Sequence, residues 1–253
     1  MLICYFCLEI LLQNSKPFGV KKKEKSVRIQ TTFLNAAEKK VLVWMAERLP
    51  KWVNSDLLTF IGFLGAVIIG AGLYLSNYSV HFLWLSILGL IINWYGDSLD
   101  GTVARVRNQQ RPVYGFYIDH TMDAINEAFM FLGAGMSPFM RFDLACLIFI
   151  VYLMLTLNVA MNTHLKGEFR LSYAKLGPTE FRLVCALAFL LIIGIKPLQD
   201  FTIEMSWRAG MMPLRILDIV GLAILVVLVI IYFVTIGQDA RYYAKIDPKP
   251  QNE

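Results

Sequence analysis

Apolar runs of membrane-crossing length, broken by short polar connections, constrain this chain more than any other feature. A helix needs about 20 apolar residues, at about 1.5 Å rise each, to cross a bilayer's hydrocarbon core. Six spans are read on that basis: Leu57–Tyr78, His81–Arg105, Tyr114–Ser137, Asp143–His164, Thr179–Ile195 and Met212–Ile236. A soluble core would instead show amphipathic stripes with charges every few residues. Hydrophobic residues make up 57% of the chain, charged residues only 17%, and mean hydropathy is +0.56, which excludes an ordinary soluble globule. The expected fold class is all-α: an integral membrane bundle of six transmembrane helices, preceded by an interfacial amphipathic helix.

Lysine and arginine placement sets the orientation. Basic residues crowd the segment before the first span, from Lys16 to Lys51. The second-to-third connection carries Arg105, Arg107 and Arg111, the fourth-to-fifth Lys166, Arg170 and Lys175, and the tail Arg241, Lys245 and Lys249. The opposite loops hold only Arg141, Lys196, Arg208 and Arg215. Both termini are therefore expected in the cytoplasm. The net charge of +5 lies mainly in loops, which argues against a nucleic-acid partner. Residues 1–31 read as a basic N-terminal segment, 32–52 as the interfacial helix, 53–238 as the six-helix catalytic domain and 239–253 as a cytoplasmic tail. In Thr32–Lys51, Phe33, Leu34, Val41, Val43, Trp44 and Leu49 alternate with charged positions, which suits a helix in the headgroup region. The competing reading is a cytoplasmic helix packed on the bundle. Met1–Gln13 is apolar but too short to span, and it lacks the basic start and cleavage site of a signal peptide. Cys4 and Cys7 have no second pair to make a zinc site, and Cys146 and Cys185 sit in apolar segments as buried thiols.

Chemistry concentrates between Asn93 and Glu127. Asp97 and Asp100 lie three apart and Asp119 and Asp123 four apart, so each pair shares one helix face. The short connection between their helices makes those helices antiparallel neighbours. Four carboxylates are thus expected to converge at the cytoplasmic membrane boundary. One intramembrane Asp alone costs about 2.5–3.5 kcal/mol on insertion scales. Neither half of the cluster holds a lysine to offset the charge, so divalent cations are the expected partners. An all-carboxylate set favours Mg²⁺, Mn²⁺ or Ca²⁺ over zinc or copper. Four carboxylates suit two ions about 3.5–4 Å apart, an arrangement that clamps a reacting phosphate. Gly101 and Ala104 extend the Asp97–Asp100 face as a small-residue strip, read either as helix packing or as room for a ligand. Beside the aspartates and Arg105 the ligand reading is preferred. Arg105 itself is either a phosphate partner or a positive-inside anchor.

This stretch resembles the signature of the CDP-alcohol phosphotransferase family, D-x2-D-G-x2-A-R-x8-G-x3-D-x3-D. Asp97, Asp100, Gly101, Ala104, Arg105, Gly115, Asp119 and Asp123 match it in order. Nine residues rather than eight separate Arg105 from Gly115, an insertion in a loop, where added length costs little. The resemblance implies a transferase that releases CMP from a CDP-activated donor and works with Mg²⁺ or Mn²⁺, with two ions expected. It implies that Asp97, Asp100, Asp119 and Asp123 hold the metals and that Gly101, Ala104 and Gly115 leave room for cytidine. It also implies that Asp123 takes the proton of the attacking hydroxyl, and that the protein is a homodimer. Asp119-His120 is similar to the choline- and ethanolamine-phosphotransferase branch, so His120 is a second catalytic candidate against the plainer reading of an interfacial histidine.

Further candidates surround this core. Arg170, Lys175 and Arg182 are read as shaping an acceptor pocket, although basic residues at a cytoplasmic rim are expected in any case. Pro178 and Glu180 suit a helix start. Asn93 and Glu127, a turn outside the aspartate pairs, are candidates for orienting them. Asn54, Asp56 and Thr59 either cap the first span or approach the nucleotide. Arg215 and Asp218 are expected to pair with each other. Two donor chemistries remain: CDP-diacylglycerol giving a phosphatidyl group to a polar alcohol, favoured by the basic fourth-to-fifth loop, or a soluble CDP-alcohol giving its headgroup to a lipid hydroxyl. An ion-coupled transporter is the alternative of another class, but the paired broken helices typical of transporters are not evident.

Overall fold

A computed structural model describes residues 35–166, 178–207 and 210–249. Arg170 and Lys175, the first cysteine pair and the N-terminal lysines fall outside the described residues. Helix α1 spans Asn35–Arg48, α2 Ser55–Leu75, α3 Leu83–Val106, α4 Pro112–Gly135, α5 Phe142–Lys166, α6 Pro178–Gly194 and α7 Lys196–Gln199. Strands β1 (Thr202–Trp207) and β2 (Gly210–Arg215) precede α8, Ile216–Ile246. Among the described residues, four stretches are long and apolar enough to cross a membrane: Ser55–Leu75, Val80–Val106, Phe142–Asn162 and Ile216–Ile246. Helix α4 carries three carboxylates on one face, and α6 has only 17 residues.

The fold is helical as expected, with one exception. The last expected span began at Met212, yet Gly210–Arg215 pairs antiparallel with Thr202–Trp207, and α8 starts only at Ile216. The pairing with Thr202–Trp207 claims these residues, and hydropathy alone does not register such a partner. At its other end α8 runs to Ile246, into the segment expected as tail.

Helices α2 and α3 form the closest pair. A Cβ added at Gly96 would strike the Gly62 amide nitrogen and the Leu58 carbonyl oxygen, and one at Gly65 would strike the Asn93 backbone. Only glycine lets two backbones approach so closely inside a membrane. The same device brings α4 to α2, where a Cβ at Gly133 would lie 2.6 Å from Gly70 Cα. A core of Ile69, Leu73, Leu83, Leu90, Phe139, Phe189 and Ile192 fills the end away from the aspartates.

Helix α1 is docked on the bundle. Leu42 and Ala46 are buried against Leu58, Leu99 and Val103. Glu38 accepts from Trp94 Nε1 of α3 at 2.8 Å and from Thr179 Oγ1 of α6 at 2.7 Å. Its Val41 and Trp44 remain exposed. Arg215 and Asp218 do not simply pair, as the sequence suggested. The Asp218 carboxylate, fully buried, accepts the backbone amides of Arg141 (2.7 Å) and Arg215 (2.8 Å). The Arg215 guanidinium instead donates to the carbonyls of Ser137 and Met140, both at 3.2 Å.

Candidate active site

The acidic site is built where α3 ends and α4 begins. Helix α3 terminates at Val106, and Asn108 takes a left-handed conformation (φ 55°) that lets the chain reverse within five residues. Asn tolerates that region better than most residues. Arg107, read from the sequence only as a topology signal, ties the loop down. Its guanidinium donates to the carbonyls of Val53 (2.5 Å), Leu49 (2.9 Å) and Pro50 (3.0 Å).

Three of the four aspartates meet. Asp97 of α3 and Asp119 and Asp123 of α4 each present a carboxylate oxygen within 4.8 Å of the others. Asp100 is not one of the three. Its Oδ2 accepts from Thr59 Oγ1 of α2 at 2.7 Å, its Oδ1 accepts the Gly101 amide, and its carbonyl oxygen accepts from Ser55 Oγ at 3.1 Å. Thr59 therefore addresses Asp100, while Asn54 caps α2 by accepting from the Leu57 amide at 2.8 Å.

A partner for Arg182 was not evident in the sequence, and the fold supplies one. Its guanidinium donates to Asp97 Oδ2 at 2.5 Å and, through Nε, to Asn93 Oδ1 at 2.9 Å. Asn93 is itself fixed, because its Nδ2 donates to the Gly62 carbonyl at 2.9 Å. Glu127 continues the Asp119–Asp123 face one turn deeper, beside Tyr152 of α5, and its Oε2 is buried without a hydrogen-bond partner. His120 stacks on Phe116 at 4.1 Å, with Nδ1 3.0 Å from the Phe116 carbonyl oxygen.

The glycines of the motif differ from those of the helix interfaces. A Cβ at Gly101 would meet nothing nearer than the Arg105 guanidinium at 3.4 Å, and one at Gly115 would meet nothing within 4 Å. Helix packing does not require either. Arg105 donates to Thr102 Oγ1 at 2.9 Å. Beside this open strip lies a cavity of about 300 Å³ lined by Asn54, Ser55, Asp56, Val103, Ala104, Gln109 and Arg111. Arg111 Nη2 donates to both Asp56 oxygens at 2.7 Å, and Arg111 Cζ lies 3.8 Å over the Tyr114 ring. The Asp56 carboxylate raises the Arg111 pKa further above its ordinary value.

Three carboxylates gathered in a helical bundle this apolar concentrate negative charge, which is costly without a cation. The donors are all hard oxygens, and they lie close enough together to hold a divalent cation. A search of curated proteins found no match to the chain. The family model for CDP-alcohol phosphatidyltransferase matches residues 52–236. That match runs from just before α2 through most of α8, taking in every element that contributes to the acidic cluster. The chain thus belongs to the CDP-alcohol phosphatidyltransferase family, whose members transfer a phosphatidyl or phosphoalcohol group from a CDP-alcohol to a hydroxyl acceptor.

Proposed function

We propose that this protein transfers a phosphatidyl group from CDP-diacylglycerol to the hydroxyl of a polar alcohol, with release of CMP. The carrying observation is the meeting of Asp97, Asp119 and Asp123 beside ground left open by Gly101 and Gly115. A divalent cation held by those carboxylates would neutralise the donor's diphosphate and stabilise charge as the anhydride opens. The chain's own groups do the rest. Gly101, Ala104 and Gly115 admit the cytidine end, with the adjoining cavity and its Arg111–Asp56 pair as flank. Arg105 stands near enough to that strip to meet a phosphate oxygen. Asp123 takes the acceptor's proton while the acceptor oxygen bonds to the lipid-bearing phosphorus, and the bond from that phosphorus to the CMP oxygen breaks. Asp100, held by Thr59, completes the acidic wall. Arg182 borders the acceptor side, and Arg170 and Lys175, outside the described residues, are proposed to bind the acceptor with it. Six spans are proposed, α4 and α6 joining the four apolar ones, with α1 in the headgroup layer and the site and both termini facing the cytoplasm.

The second reading, headgroup transfer from a soluble CDP-alcohol to a lipid hydroxyl, is supported by His120 beside Asp119, with its ring fixed against Phe116. Purified protein in lipid, supplied with Mg²⁺ and in turn with labelled CDP-diacylglycerol plus polar alcohols and with labelled CDP-ethanolamine plus diacylglycerol, separates the two. CMP release with the first donor, lost on chelation and in Asp97→Asn, is the expected result. Undiminished release in that variant, or none with any cytidine nucleotide, would overturn the proposal.

A further inference from the structure

Asp97 belongs to two constellations at once. Its carboxylate is one of the three that meet between α3 and α4, and its Oδ2 accepts the Arg182 guanidinium of α6. Both side chains are largely buried, Arg182 14% and Asp97 23% exposed. The guanidinium is aimed by a chain of contacts running back to the closest helix pair in the protein: Gly62 carbonyl to Asn93 amide, then Asn93 carbonyl to Arg182 Nε. These two contacts fix where the guanidinium charge stands relative to Asp97. An acceptor-binding arginine would be expected to point its planar face and free donors toward the substrate. Here two of the guanidinium's nitrogens are spent on the protein, one of them on a carboxylate of the acidic cluster itself.

We infer that Arg182 is a displaceable internal counter-cation, which holds Asp97 while the acidic site is unloaded and yields that oxygen when a divalent cation is bound. This rests on the reading of Asp97, Asp119 and Asp123 as metal ligands. The physical basis is competition. A guanidinium and a divalent cation at adjoining positions repel each other, and they contend for the same carboxylate electrons, so the arginine must lower cation affinity. Its compensating role is to keep a buried carboxylate from standing uncompensated before loading. A released Arg182 would then be free, at the α6 edge of the site, to meet an anionic group of the substrate.

The sign of the effect separates this role from simple acceptor binding. Full-length protein in nanodiscs is titrated with Mn²⁺ by calorimetry, comparing wild type, Arg182→Gln, Arg182→Lys and Asp97→Asn. Arg182→Gln should bind Mn²⁺ about tenfold tighter than wild type, the equivalent of about 1.4 kcal/mol. Arg182→Lys, which keeps the charge, should stay close to wild type, and Asp97→Asn should bind more weakly. Equal or weaker binding in Arg182→Gln overturns the counter-cation role and leaves the metal site standing. Absence of Mn²⁺ binding in wild type overturns the metal site and this role together. Should Arg182→Gln not fold, wild type decides through amide exchange over Pro178–Cys185: faster exchange on Mn²⁺ loading is expected as the anchor lets go, and unchanged or slower exchange overturns it.

Discussion

Thr59 and Asp100 distinguish two parts that a carboxylate can play beside one site. Asp97, Asp119 and Asp123 turn their oxygens toward one another, whereas Asp100 is held by a hydroxyl from α2 and a backbone amide. Replacing any of the first three by Asn removes a charge from the cluster itself. CMP release should fall by about a hundredfold or more, the scale on which losing one electrostatic partner of a transferring group acts. Thr59→Val keeps the shape and removes the hydrogen bond that orients Asp100. A loss of about 10–100-fold is expected there, as for partners that orient a ligand from behind. Steady-state CMP release with a saturating donor measures both, and a Thr59→Val enzyme of wild-type activity would return Thr59 to a purely local role. The spacing of Asp97 with Asp100 and of Asp119 with Asp123 was readable from the sequence, because both fall within single helices. The links Arg182–Asp97, Thr59–Asp100 and Glu38–Trp94 were not, since they join different helices and no periodicity records which helix faces which.

At the scale of helices, glycine has two uses that composition cannot separate. Gly96 is filled by the backbone of α2, whereas Gly115 opens on empty space. Gly96→Ala should therefore force α2 and α3 apart, at a cost of about 1–3 kcal/mol or more, typical of overpacking. Gly115→Ala meets no neighbour and replaces a flexible residue in a helix, a change worth about 0.5–1 kcal/mol in the stabilising direction. Yet it narrows the strip proposed for cytidine, so donor affinity should drop while thermal stability holds or rises. Thermal unfolding in detergent beside donor KM tests the pair, and a Gly115→Ala protein with unchanged donor KM would remove Gly115 from the nucleotide site. Helix existence was legible because long hydrophobic runs are hard to mistake, and among the described residues four of the helices are long and apolar enough to cross a membrane. The hairpin before α8 was hidden because Met212 and Leu214 read as the start of a span, while the pairing that claims them lies several residues upstream. Asp218 was misassigned for a related reason: its partners are backbone amides at Arg141 and Arg215, which carry no side-chain signature.

For the molecule as a whole, the proposed topology makes opposite ends of the bundle face opposite compartments. Gln109 lines the cavity in the α3–α4 connection at the acidic end. Glu204 sits on the exposed hairpin after α6, at the other end. Helices α3 and α5 run toward the acidic end and α4 and α6 away from it, so an even number of crossings separates the α1 side from the end of α8. Positive-inside asymmetry is the ground for proposing that the acidic end faces the cytoplasm. In a background lacking Cys4, Cys7, Cys146 and Cys185, a membrane-impermeant maleimide should label Glu204→Cys in intact cells and Gln109→Cys only after permeabilisation. The reverse pattern would invert the topology. Labelling of both in intact cells would mean that α3–α6 do not carry the chain across as two hairpins, and the shorter α6 would then be the helix to doubt. Donor supply follows from the same geometry. On the proposed function, a lipid-linked CDP donor would reach the site laterally through the cytoplasmic leaflet, and a soluble acceptor would arrive from the water above it. Inverted or right-side-out vesicles given the polar alcohol from outside should therefore differ in CMP release, with only the inverted ones active.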